Sequence, residues 1–451
     1  MRKPLLLGGL AVAAVAGAIV AVIVSSGGGG SAQPNASSRP SGPADSTRPT
    51  QSATTQRGTT TSVSPPTSTA SPVPATTSAI PPPPGPRSHR RRTFTIGVVD
   101  DSLAQQDPTS ARSQVDISHR AGFDAVAVSA LWRRGRTRPG VALLRGIRNV
   151  AAAAHSDHMR LFLVAWNGFA KGTPRGGEER TQFASFTAAL VKAFPHAWAV
   201  IVGNEPNLDT FWMPQFGPGG RDVAAPAYED LLARTYDAVK DASRRVRVIG
   251  VGLSPRGADR PNGIRPTHSP TVFIGDLGRA YRASGRRRPL MDAFAIHPYM
   301  LTPRVPPTVA HPKTTQITLA DYPKLVTLLD EAFRGTSQRG RTLPILYTEF
   351  GVQTVVPESK LSAYQAGTYP TAGDGISAAT QAAYYRTALA LAYCQPTVKG
   401  LFIFHTFDEV KLDGWQSGLY YADGTPKPSV RGFRRTVAAL RNGELTACGR
   451  R

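Results

Sequence analysis

Cysteine is almost absent from the 451 residues: there are two, Cys394 and Cys448, both near the C-terminus. In an exported chain an isolated pair of this kind reads as a disulfide rather than as a nucleophile or a metal site, and it leaves no cysteine for catalysis. Closing the loop of about fifty residues between them contributes on the order of 4 kcal/mol and staples the last helix to its domain. Glycine-rich phosphate loops and a serine nucleophile elbow are also missing. His155 and His158 flank Asp157 near a helix end with no third ligand in view, so they read as a solvated face and no metal is implied. Acidic residues are scarce, 30 Asp and Glu against 53 Lys and Arg, for a formal charge of +23. The arginines at 90–92, 244–245 and 286–288 are scattered without interleaved aromatics, which excludes a nucleic-acid reading. The excess is either a solvated surface or attraction to an anionic cell-wall polymer or lipid surface.

What is present divides the chain in three. Arg2 and Lys3 precede an apolar run from Leu5 to Val24. Its length, close to the roughly 20 residues that span a bilayer, favours a retained signal anchor over a cleaved signal peptide, although small residues up to Ala32 leave cleavage open. Residues 1–30 are therefore a signal anchor or signal peptide. Residues 31–92, rich in Ser, Thr and Pro with Pro81–Pro84 in a row, lack the apolar residues a core needs and read as a disordered linker. Residues 93–451 form the folded domain, extracytoplasmic in either case: tethered by residues 5–24 or secreted after cleavage.

Within that domain, strand-like and helix-like runs alternate eight times. Strands are expected at Phe94–Val99, Ala125–Leu131, Leu161–Trp166, Ala197–Val202, Val248–Leu253, Ala293–His297, around Pro344–Leu346 and at Gly400–Phe404. Helices are expected at Thr109–Ala121, Val141–Ala154, Glu178–Phe194, Tyr228–Arg244, Thr271–Ala283, Leu319–Phe333, Ser377–Tyr393 and Pro428–Leu440. Eight β-then-α units with continuously apolar strands predict an α/β fold of the (β/α)8 TIM-barrel class. The domain exceeds the roughly 250 residues usual for that fold, and the surplus falls in residues 206–224, 300–318 and 352–376, after strands four, six and seven.

Two glutamates then stand out. Glu205, in Gly203-Asn204-Glu205-Pro206-Asn207, and Glu349, in Tyr347-Thr348-Glu349-Phe350-Gly351, each end an apolar strand. Barrel chemistry gathers at the carboxyl ends of strands, and two carboxyls facing one cleft there make an acid and base couple. A helix cap or salt bridge would explain either residue alone, but explains the pair less well.

The Asn204-Glu205-Pro206 run ending strand four, His297-Pro298-Tyr299 ending strand six and Thr348-Glu349-Phe350-Gly351 ending strand seven resemble the retaining glycoside hydrolases of clan A, family 5-like or family 39-like. The resemblance covers the chain from about Thr93 to Leu440. It implies Glu205 as general acid and base, Glu349 as nucleophile, Tyr299 as hydrogen-bond donor to Glu349, and Asn204 as a contact to the sugar hydroxyl beside the reacting carbon. His297 shares Tyr299's parity and is expected on the same face. Trp166, Trp212 and Trp415 offer flat faces for a pyranose. Many clan members carry a tryptophan at the end of strand eight, where this chain has Phe404-His405-Thr406-Phe407. His405 or Phe407 is expected to fill the floor of the sugar site, or Trp415 to fold back over it. Arg133 and Arg134 lie where family 5 expects an arginine, but read slightly better as surface charge.

The expectation is therefore an exported retaining glycosidase, monomeric and without cofactor, acting on an oligo- or polysaccharide outside the cell. A non-catalytic glycan-binding barrel and a wall-remodelling transglycosylase are the competing readings.

Overall fold

A computed structural model of the chain describes residues 93–105, 107–365 and 375–444. The apolar segment and the linker lie outside the described residues, as does Cys448, the expected partner of Cys394. Among the described residues no helix is long and apolar enough to cross a membrane.

Eight parallel strands close into a barrel in chain order. They are β1 (Thr95–Val99), β2 (Ala125–Leu131), β3 (Arg160–Trp166), β4 (Ala199–Val202), β5 (Arg247–Leu253), β6 (Ala293–Ile296), β7 (Ile345–Phe350) and β8 (Val398–Phe404), with β1 pairing β8 to complete the ring. Eight helices alternate with them: α1 (Pro108–Ala121), α2 (Val141–Ser156), α3 (Gly177–Ala193), α4 (Ala224–Ala242), α5 (Pro270–Ala283), α6 (Tyr322–Phe333), α7 (Ala378–Cys394) and α8 (Pro428–Asn442).

Local chemistry sets several of these boundaries. Asp107 caps α1 by accepting from the backbone of Thr109 and Ser110, with Pro108 preset for the first turn, and Ser269-Pro270 and Ser377 start α5 and α7 in the same way. Gly122 and Gly443 end α1 and α8 in the left-handed conformation. Leu319–Asp321, expected as the start of α6, is a separate 3-10 turn in which Thr318 and Asp321 cap one another.

Each strand is buried on both faces, which is why its sequence runs continuously apolar. One face meets the helices in the large outer core. The other fills the barrel with Val99, Ala125, Ala127, Phe162, Ala199, Ile201, Ile249, Ala293, Ala295, Leu346 and Phe402. Alanines on β2, β4 and β6 leave room for Phe162 and Phe402, whose rings meet edge to face at 4.8 Å. Two residues further along, the inward face emerges at the carboxyl ends as Asp101, Ser129, Val164 and Trp166, Gly203, His297 and Tyr299, Thr348 and Phe404. These residues line an open cleft of about 1300 Å3, its solvent mouth included.

Candidate active site

The backbone leaves regular strand geometry where the two glutamates sit. Gly203 has φ +83, and a side chain there would meet the Tyr228 ring, whose hydroxyl donates to the Val202 carbonyl at 2.6 Å. Glu205 itself has φ +40, unusual for a residue with a side chain and more so before a proline. Its N–H is held by the Gly252 carbonyl at 2.8 Å. Gly252, with φ +65, is the extra residue of a bulge in β5. A second bulge falls on β7, where Thr348 and Glu349 together face Phe402 of β8, so that Thr348 and Glu349 both line the cleft.

Both carboxylates converge on one imidazole. His297 Nδ1 lies 3.1 Å from Glu205 Oε1 and 3.5 Å from Glu349 Oε2. Those two oxygens are therefore separated by at most about 6.6 Å, the sum of the two contacts. The Tyr299 hydroxyl donates to Glu349 Oε2 at 3.1 Å. Burial pushes the Glu349 carboxyl up to about 7; the charges of Glu205 and Asp101 add to this, while His297 and the Tyr299 hydroxyl oppose it. Burial works against a charge on His297, but the Glu349 charge and the contact with Glu205 outweigh it and raise the imidazole above its ordinary value. Burial and the two carboxylates keep the Tyr299 hydroxyl protonated.

Aromatic rings flank this centre. On one side Trp166 packs with Phe211 and Phe169, and among the described residues its indole nitrogen has no hydrogen-bond partner. On the other, Trp415 folds back from the β8–α8 loop and stacks on Tyr299 at 5.2 Å, its ring edge-on to Phe404 at 5.5 Å. Phe404 thus stands at the end of β8 and Trp415 covers it. Asn204 lines the cleft beside Glu205.

Other expected residues lie elsewhere. His405 does not line the cleft: Phe404 takes that position, and His405, its ring centroid 3.6 Å from that of Phe404, lines a neighbouring cavity together with Phe407. Trp212 is 2% exposed and packs edge-on against Tyr228, a core residue with no face for a sugar. Arg133 is exposed, and Arg134 pairs with Glu179 at 3.4 Å and donates to the Thr173 carbonyl at 2.7 Å. Asp157 pairs with Arg112 at 2.6 Å, and among the described residues no group of three or more His, Cys, Asp and Glu could hold a metal ion.

Sequence reasoning missed three cleft or cleft-shaping residues. Asp101 lines the cleft and carried the same signal as the glutamates, a carboxylate ending an apolar strand. Arg256, in the β5–α5 loop, enters the cleft with its guanidinium donating to the Leu301 carbonyl at 3.0 Å. Burial lowers its pKa against the opposing pull of Glu205. The fully buried Asn207 makes that placement possible, accepting from Ser254 N at 3.0 Å and donating to the His268 carbonyl at 2.9 Å. It latches the β4–α4 loop to the β5–α5 loop.

No protein-family model matches the sequence, nor does any curated protein. Solved structures do share the fold. A family 39 glycoside hydrolase from the gut symbiont Bacteroides cellulosilyticus WH2 superimposes with a TM-score of 0.55 at 19% identity, covering 78% of this chain and 65% of that one. This chain therefore spans slightly under two thirds of that protein. A GH5_18 protein from Streptomyces cattleya, in complex with GlcNAc, gives 0.53 at 17% identity over 78% of this chain and 81% of that one. A β-glucosidase from Thermotoga maritima, in complex with deoxynojirimycin, gives 0.51 at 12% identity over 78% and 98%. The barrel is thus of the type found in these glycoside hydrolases, in accordance with the clan A resemblance of the sequence.

Proposed function

We propose that this protein is an exported retaining glycoside hydrolase, cleaving O-glycosidic bonds of an extracellular or cell-wall carbohydrate by double displacement. The observation that carries the reading is the shared contact of Glu205 and Glu349 with His297 Nδ1. A retaining pair stands about 5 to 5.5 Å apart, whereas an inverting pair needs roughly 6.5 to 9.5 Å to admit a water. The bound of about 6.6 Å applies to the one pair of oxygens that faces His297, and it is compatible with the retaining spacing.

In this reading Glu205 gives its proton to the leaving oxygen while Glu349 attacks the anomeric carbon and forms a glycosyl ester. Glu205, now ionised, then takes a proton from water, and the resulting hydroxide displaces Glu349 at the same carbon. Tyr299 supports the ionised Glu349. Trp166 and Trp415 supply apolar faces for the sugar, and Asn204 is placed to bond a hydroxyl beside the reacting carbon. The solved structures of similar fold are glycoside hydrolases, which supports the assignment. Export rests on the apolar run from Leu5 to Val24, and a role at an anionic wall polymer or lipid surface on the charge of +23.

The test is hydrolysis of an aryl glycoside panel, with the first-formed anomer followed by proton NMR. Retention supports the proposal. Inversion, or full activity in both Glu205→Gln and Glu349→Gln, contradicts it.

A further inference from the structure

A second cavity adjoins the cleft, bounded by the ends of β1 and β8, one face of α1 and segments near both ends of the β8–α8 loop. It encloses about 1200 Å3, solvent mouth included, and shares Asp101 with the cleft. Five carboxylates line it: Asp100, Asp101, Asp408, Glu409 and Asp423. Two of them are already neutralised. Asp408 pairs with the fully buried Lys427 at 2.6 Å, and Asp423 with Lys360 at 2.8 Å. The other three have hydrogen-bond donors but no cation. Asp100 accepts from Ser102 Oγ at 2.6 Å, Asp101 from Ser129 N at 3.0 Å, and Glu409 from the Trp415 backbone. Among the described residues, no Lys or Arg pairs with any of them.

A separate observation comes from His405. It is 8% exposed and lines this cavity, and among the described residues neither ring nitrogen has a hydrogen-bond partner. A polar group that borders a cavity without a protein partner is open to a bond from water or from a ligand that displaces that water.

We propose that this cavity is a subsite for a protonated amine carried by the substrate's sugar, with Asp100, Asp101 and Glu409 as counter-charges and His405 as a neutral hydrogen-bond partner. The inference rests on the reading of the adjoining cleft as a glycosidase site. An ammonium group offers three donors and one positive charge, matching a set of acceptors that lacks its cation. Among the described residues no group of three or more His, Cys, Asp and Glu could hold a bare metal ion. The shared Asp101 sets the direction: a sugar seated over Glu349 extends past Asp101 into the cavity, and the amine lies on that sugar or the next one. Burial supports the same picture. It holds Asp100 up to about 6 and Glu409 up to about 8, so at pH 7 the empty site keeps a proton on Glu409 that an arriving ammonium displaces, and it holds His405 down to about 3, so the imidazole does not compete as a cation.

The experiment is calorimetric titration of the full-length protein at pH 7 with glucosamine, galactosamine and mannosamine, each against its neutral parent sugar. At least one amine is expected to bind ten-fold or more tightly than its parent, with release of protons to the buffer and weakening in high salt. Glu409→Gln and His405→Phe are each expected to reduce that preference at least five-fold. The comparison of amine with parent uses only the wild-type protein, so it stands even where a variant fails to fold. Equal affinities for all three pairs, a preference unchanged in both folded variants, or displacement of the amine by stoichiometric calcium chloride would each overturn the proposal. Amine preference without hydrolysis of any glycoside would sink the glycosidase reading and leave the subsite; hydrolysis without amine preference would do the reverse.

Discussion

The Tyr299 hydroxyl donates to Oε2 of Glu349 at 3.1 Å, from a ring clamped by Trp415 at 5.2 Å. This bond favours the ionised form of the carboxylate that must attack. Tyr299→Phe keeps the stacking and removes only the donor, so kcat should fall about 10- to 100-fold, with a much smaller change in KM. Steady-state kinetics on one aryl glycoside decides it.

Trp415 acts through two contacts, one to Tyr299 and one to the sugar. Trp415→Ala removes a stacking surface worth about 1 kcal/mol beyond its burial and frees the Tyr299 ring. Both KM and kcat should worsen, each by several-fold or more, whereas Trp212→Phe, in the core, should alter stability and leave KM near its starting value. Parallel kinetics and thermal melts of the two variants separate these cases.

The pH profile follows from Glu349. The productive enzyme holds one proton on the Glu205–Glu349 pair, and burial together with the Glu205 charge delays loss of the last proton until pH reaches about 7. Activity should therefore be retained on the acid side of 7 and fall as pH rises through it. Tyr299→Phe removes a bond to the ionised form and should move this alkaline limb to higher pH. A limb that moves down, or stays in place, contradicts the assigned contact.

The same shift affects stability. Glu349 rises from 4.5 in the unfolded chain to about 7 in the folded one, so the folded state binds the proton more tightly. That contribution is complete below about 4.5 and lost as pH rises through 7, a difference of up to about 3 kcal/mol. Glu349→Gln should therefore stabilise the protein relative to wild type at pH 8 by more than it does at pH 4.5, measured by urea unfolding at both values.

Lys427 and Asp408 form an ion pair with both side chains fully buried, braced by Tyr364 and Thr354. Lys427→Met leaves Asp408 buried without its cation and should cost about 3 to 5 kcal/mol, while the double variant with Asp408→Asn should recover part of that loss. Chemical denaturation of the three variants measures it.

Much of the barrel was legible because burial on both faces writes itself into sequence as an unbroken apolar run. The expected Ala125–Leu131 matches β2 residue for residue, and the glutamates were visible as charges where such runs stop. What stayed hidden depends on contacts across strands. No local pattern reveals that Gly252 bulges out of β5 to hold the Glu205 N–H, or that β7 carries an extra residue opposite Phe402. Arg256 reaches the cleft only because Asn207, remote in sequence, ties two loops together. His405 was assigned to the sugar floor from its position at a strand end, but Phe404 fills that place and His405 packs beside its ring and lines the adjoining cavity. The expected long loop at residues 300–318 supplies Met300, Leu301, Thr302 and Pro303 to the cleft, and Trp415, expected as a residue that folds back, comes from the loop after β8, which was not among the three expected long loops.

The central claim is that Glu349 forms the covalent intermediate. Incubating the enzyme with a 2-deoxy-2-fluoroglycoside of whichever sugar it turns over, followed by proteolysis and mass mapping, tests this directly. The account predicts one adduct per chain, on the peptide containing Tyr347-Thr348-Glu349-Phe350, and none in Glu349→Gln. An adduct on Glu205 or any other residue would contradict it.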